Sequence, residues 1–112
     1  WIDVDTPNDL ISRVQNHNGE IIFRKQQFDV FTNPNVDPIL EAVNPDRIVV
    51  YGVALDVCNA YAINGFLKRN TAAIQLALDA TQAIIPERGE KLVSDWQIQG
   101  VEITTTETII NQ

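Results

Sequence analysis

One cysteine, one histidine and no methionine occur among the 112 residues of this chain, and each shortage excludes something. A single thiol cannot form an internal disulfide and fits a reducing compartment, so a cytoplasmic setting is expected. The one histidine, His17, sits in an Asn/Gly turn without clustered donors, so no metal site is expected. Basic residues are scarce as well, eight against 15 acidic ones, for a net charge of −7. That balance disfavours nucleic acid and anionic membrane as partners, because both require a basic face. No run approaches the roughly 20 apolar residues of a membrane span. Trp1-Ile2-Asp3 lacks the basic start and apolar block of a signal peptide. Gly52 has no glycines two and five residues on, so a dinucleotide fingerprint is absent and no cofactor is expected.

What is present is ordinary for a globular protein: 45% hydrophobic and 21% charged residues, in a chain long enough to bury one core. A single domain over 1–112 is the expectation. The start at Trp1, with no methionine anywhere, reads as a processed, trimmed or partial chain.

Short apolar runs alternate with helical segments. Thr6-Pro7 has the form of an N-cap followed by proline at the first helical position, with Leu10, Ile11 and Val14 at helical spacing. A break at 16–19 leads to a strand over 20–24, and a turn-rich stretch over 32–38 to a short helix over 38–43. Residues 47–52 form a continuous β-branched run, as in a strand buried on both faces. A helix over 57–69, a strand over 72–78, a helix over 87–99, a strand over 101–104 and a short terminal helix complete the order. Such alternation predicts an α/β fold: a parallel sheet, right-handed crossovers and helices on both faces. Ligands of such sheets bind beyond the carboxyl ends of the strands.

Val49-Val50-Tyr51-Gly52 ends at that edge, and Cys58 follows six residues later. Taken alone, Cys58 reads either as a small buried hydrophobe or as a functional thiol. With Asp56 as a helix cap, Cys58 would lie in the first helical turn, where free amides and the macrodipole favour a thiolate. Those amides would also suit an oxyanion on an attacked carbonyl. Gly52 would let the backbone leave the strand sharply.

Gly52-Val53-Ala54-Leu55-Asp56-Val57-Cys58 resembles the G-V-A-T-D-x-C segment of the isochorismatase-like cysteine hydrolases, which include nicotinamidases. The resemblance continues through Asn59 to Leu67 and Leu78-Asp79-Ala80. Upstream, Phe23-Arg24-Lys25-Gln26-Gln27-Phe28-Asp29-Val30-Phe31 is similar to the family's K-x-x-x-x-x-F stretch, so residues 20–85 are covered. It implies that Cys58 is the nucleophile and that Lys25, otherwise a solvated surface charge, stabilises the thiolate. It further implies an oxyanion hole from the amides of Ala54 and Cys58 and a cis peptide at Val53–Ala54. Phe28 and Phe31 are candidates for the substrate-pocket wall or, alternatively, for the core.

The family's third catalytic group is an aspartate on its first strand, in a V-D-x-Q-x-D-F setting. Val4-Asp5-Thr6-Pro7-Asn8-Asp9-Leu10 mimics it, which makes Asp5 the candidate in this chain. Only 19 residues separate Asp5 from Lys25, too few for the elements that normally intervene, and capping by Thr6 explains the segment without a deletion. The expectation is a C-terminal portion of the family's domain that lacks its first strands. Completion would come from a homo-oligomer or a complementing N-terminal segment, since a gap leaves strand edges unpaired. Asn59, where valine is usual, and Ala62-Ile63, where many members have T-A, depart from the pattern.

The expected activity is thioester-mediated hydrolysis of a C–N bond in a small amide or ureide. The alternative is a non-catalytic module that binds a partner or small ligand. A redox-sensing thiol is a weaker possibility, because no resolving cysteine is present.

Overall fold

A computed structural model describes residues 10–16, 19–22, 27–70 and 72–112, with Ile11 as backbone only. Helix α1 spans Leu10–Gln15 and α2 spans Val36–Val43, with a 3-10 turn at Val30–Thr32 between them. Strand β1 (Arg47–Val53), helix α3 (Cys58–Arg69), strand β2 (Ala73–Gln82), helix α4 (Pro86–Ile98), strand β3 (Glu102–Thr104) and helix α5 (Thr106–Ile110) follow. The sheet has the order β1-β2-β3, parallel throughout, which is the α/β architecture predicted by the alternation of elements.

Local chemistry explains the helix ends. Helices α2 and α3 both stop at asparagines in the left-handed region, Asn44 at φ 47° and Asn70 at φ 50°. Each donates its backbone N–H to the carbonyl four residues back. Pro86 opens α4, where its missing N–H costs nothing. Thr105 caps α5 by accepting from the Thr108 amide.

The register aligns Ile48 with Ile74, Val50 with Leu76, and Leu76 with Ile103, so these five side chains share one face. They form a single core with Ala60 and Ile63 of α3 and Trp96 of α4. Both crossover helices lie on this face, as consecutive right-handed crossovers in a 1-2-3 order require. Burial of Trp96 is compatible with its polar N–H because Nε1 donates to Asn64 Oδ1 at 2.9 Å, which also ties α4 to α3.

Four expectations change. Strand β1 is not buried on both faces: Tyr51 and Val53 are exposed, because both crossover helices cover the opposite face. Glu20–Ile22 form no strand, and Ile22 is exposed; β-propensity gains nothing without a pairing partner. The remaining residues of that predicted strand, 23 and 24, lie outside the described residues, as do the Thr6-Pro7 cap and His17. Helix α2 begins at Val36, two residues before Pro38, because proline is tolerated in a first turn. Strand β2 runs on to Gln82 because the ladder shifts between Val50 and Gly52, after which Gly52 pairs with Thr81 and Val53 with Gln82. The polar Asp79-Ala80-Thr81 sequence hides this continuation.

Phe31 fills the space over Gly65. Its ring meets Phe66 edge-on at 5.2 Å between centroids, and the Arg69 guanidinium lies 3.6 Å above it, itself paired with Asp37. A β-carbon at Gly65 would collide with Phe31 Cε2 and Cδ2. Gly65→Ala is therefore expected to lower the unfolding free energy by about 1–3 kcal/mol in urea titrations. In a Phe31→Ala background the same change should instead stabilise, by up to about 1 kcal/mol, through helix propensity alone.

Candidate active site

The site begins where β1 leaves the sheet. Gly52 has φ +105°, a conformation that side-chain-bearing residues rarely adopt, and it sits at the register shift. The next peptide bond, Val53–Ala54, is cis, at the position singled out by the motif. The Ala54 carbonyl then accepts from the amides of Val57 (3.2 Å) and Asn59 (3.1 Å), closing a tight turn into α3. Cys58 is the first residue of α3 and is half-buried. The cap position is Val57, whose side chain supplies no hydrogen bond.

Asp56 does not cap this helix, contrary to the sequence expectation. Its buried carboxylate accepts from the amides of Ile84 (Oδ1, 2.9 Å) and Ile85 (Oδ2, 3.0 Å), in the loop between β2 and α4. Two backbone donors fixed by the β2–α4 turn outcompete the amides of its own helix. Arg88 completes the clasp: Nη2 donates to the Asp56 carbonyl at 3.0 Å, and Nε lies 3.6 Å from Oδ2. The Leu55 amide adds a bond to the Gln82 carbonyl at 2.9 Å. The turn that carries Cys58 is thus tied to the end of β2 by side chain and main chain together.

A cavity of about 480 Å³ lies beside this turn, lined by Val57, Ala60, Tyr61, Phe28, Asp56, Ile84, Arg88 and Leu92. Phe28 is exposed and contributes to its wall. Phe31 does not: its contacts are with Gly65, Phe66 and Arg69, seven or more residues beyond Cys58 and about 10–17 Å along the helix. Phe31 packs on these three residues, apart from the main core cluster.

Lys25 and Asp5 lie outside the described residues, so the structure gives no position for either relative to Cys58. Among the described residues, no group of three His, Cys, Asp or Glu side chains is placed to hold a metal ion, and no helix is long and apolar enough to cross a membrane. Sequence reasoning did not assign roles to Arg88, Tyr61 or Asp79. Asp79, at the edge of the shifted ladder, accepts from both the amide and hydroxyl of Thr106 at 2.9 Å and so anchors the start of α5. Its place at the end of a predicted strand was the available signal.

A parallel sheet with a sharp glycine turn and a thiol on the first residue of the following helix defines an α/β protein built around the edge of β1. The model of the Isochorismatase domain family matches residues 2–108. The chain belongs to that family. Among solved structures it is similar to an isochorismatase-like hydrolase from Alkaliphilus metalliredigens, with 23% identity and a TM-score of 0.71. The match covers 85% of this chain and 51% of that one, so this chain spans about half the length of that hydrolase, and at this identity the likeness is one of fold. No curated protein matches.

The Ile84 amide, followed by that of Ile85 and the charge of Arg88, holds the Asp56 carboxyl below its usual pKa against the opposing effect of burial. A carboxylate lowered in the folded state stabilises it fully above the unfolded pKa, and that contribution is lost as pH falls through the folded value. Stability should therefore decline as pH drops below about 4, and Asp56→Asn should flatten part of the decline in pH-dependent urea unfolding. Asp37, lowered by Arg69, and Asp79, lowered by Thr106, should account for a remaining slope.

Proposed function

We propose that the protein acts as a cysteine-dependent hydrolase of C–N bonds in small amides or ureides. The observation that carries this reading is the position of Cys58 as the first residue of α3, directly after the Gly52–Ala54 turn at the carboxyl edge of β1. A nucleophile there meets its substrate where backbone donors converge. The family membership and the G-V-A-L-D-V-C match support the same reading.

In the proposed reaction the Cys58 sulfur attacks the carbonyl carbon, and the carbonyl electrons move onto oxygen opposite the amides of Ala54 and Cys58. Collapse breaks the C–N bond, and the amine leaves with a proton from a general acid. Water then adds to the thioester, releasing the carboxylic acid and regenerating the thiolate. Lys25 is the proposed electrostatic partner of the sulfur. The general acid would be a carboxyl group that takes the Cys58 proton before attack and passes it to the leaving amine, either Asp5 or a group on sequence beyond this chain. Because the chain spans about half of the similar hydrolase, the activity is proposed for the complete protein, as a homo-oligomer or with a complementing N-terminal segment.

That half-length match also favours a second reading, a non-catalytic module binding a small ligand or partner. Cys58→Ser separates the two. On the hydrolase reading, ammonia release from a panel of small primary amides falls to background while the circular dichroism spectrum is unchanged. One equivalent of iodoacetamide should abolish turnover in step with modification of Cys58. Retention of full turnover by either protein would sink the hydrolase reading.

A further inference from the structure

Asn59 is a buried carboxamide at the second position of α3, only 7% exposed. Burying such a group is costly unless it is hydrogen-bonded, and asparagine is a modest helix former, so neither burial nor helix propensity explains its presence. Its side chain reaches back along the chain instead: Nδ2 donates to the Gly52 carbonyl at 2.8 Å. The opposite amide orientation would set two oxygens against each other, so the chemistry decides which atom faces the carbonyl. The backbone amide of the same residue donates to the Ala54 carbonyl, which also receives the Val57 amide. One residue therefore grips the chain at two points, Gly52 and Ala54, on either side of Val53.

We propose that Asn59 is a positioning residue that sets the angle between the Gly52–Ala54 turn and the first turn of α3, and so the spacing of the Ala54 and Cys58 amides. Gly52 has no side chain and a positive φ, and a side chain there would meet nothing, so beyond the pairing with β2 the turn is held by hydrogen bonds rather than by packing. The carboxamide bond supplies a directional constraint instead. A donor pair that must meet an oxyanion within a few tenths of an ångström needs such a constraint, because a misplacement of about 1 Å can cost about 100-fold in rate. The catalytic consequence rests on the proposal that Cys58 is the nucleophile; the geometric one does not.

Two substitutions in the full-length protein test it: Asn59→Leu, of similar size without a donor, and Asn59→Asp, of the same shape with an acceptor in place of the donor. Misfolded protein is removed by gel filtration, and turnover of the primary amides is expressed per Cys58 thiol titrated with iodoacetamide. Both variants should lose at least about 10-fold in kcat, with KM changed less than about twofold. The rate of Cys58 alkylation by iodoacetamide, a displacement that forms no oxyanion, should stay within about twofold of wild type. An unchanged kcat per titrated thiol would reduce Asn59 to a structural role, and an alkylation rate falling in step with kcat would mean that the sulfur itself had moved; either overturns the proposal. If the wild-type protein turns over no amide, the hydrolase reading fails separately, and amide hydrogen exchange decides this one. Protection of the Val57 and Asn59 amides should then fall at least about 10-fold in Asn59→Asp, with the Ile63 amide unchanged, whereas unaltered protection at Val57 overturns it.

Discussion

The carboxylate of Asp56 is buried between two segments that are far apart in sequence, and it is the constraint around which the rest of the site is organised. It accepts the amides of Ile84 and Ile85, and its own carbonyl is held by Arg88. A buried charge is tolerable only when such donors replace water, and here the Ile84 and Ile85 amides are backbone groups whose positions the β2–α4 turn sets. Satisfying Asp56 therefore brings the end of β2, the start of α4 and the approach to α3 to one place. The Leu55–Gln82 main-chain bond repeats the connection one residue earlier.

From that anchor the chain is short and fully directed. Gly52 turns out of the sheet, the Ala54 carbonyl collects two amides, and Asn59 ties the first turn of α3 back to the strand. Cys58 lies between these restraints, and its neighbour Val57 lines the Phe28–Tyr61 cavity. A second group of contacts, Phe31 on Gly65 beneath Arg69, holds the far half of α3 against the 3-10 turn and, through Asp37, against α2. The two ends of α3 are thus fixed by different means, hydrogen bonds at the thiol end and aromatic packing with the Arg69–Asp37 ion pair at the other.

Much of this was legible beforehand. The β-branched run at 47–52, the helix after it and the amphipathic helix closed by Gly100 were each read at nearly the observed bounds, although β1 is open on one face where burial on both was expected. Gly52 and Cys58 were singled out by type and position. Asp56 was legible as an important carboxylate but not in its partner, because a cap to its own helix and a clasp to a loop 28 residues away use the same side-chain chemistry. Phe31 was open between pocket and core for a similar reason: an aromatic residue suits both, and its partners, Gly65 and Arg69, are more than 30 residues distant. Asn59 showed itself merely as a departure from a valine, since nothing local reveals that its amide faces the Gly52 carbonyl.

The sequence by itself determined the class of fold, the order of the elements and the place of the single cysteine just after the first strand. These depend on side-chain period, turn residues and a motif contained within seven positions. Tertiary structure decided which amides Asp56 would accept, that β2 would run on past a shifted ladder, and that Asn59 would lock the turn before Cys58. Each of those outcomes is a choice among competing hydrogen-bond partners of similar strength, and proximity in the folded chain, which no local pattern encodes, made the choice.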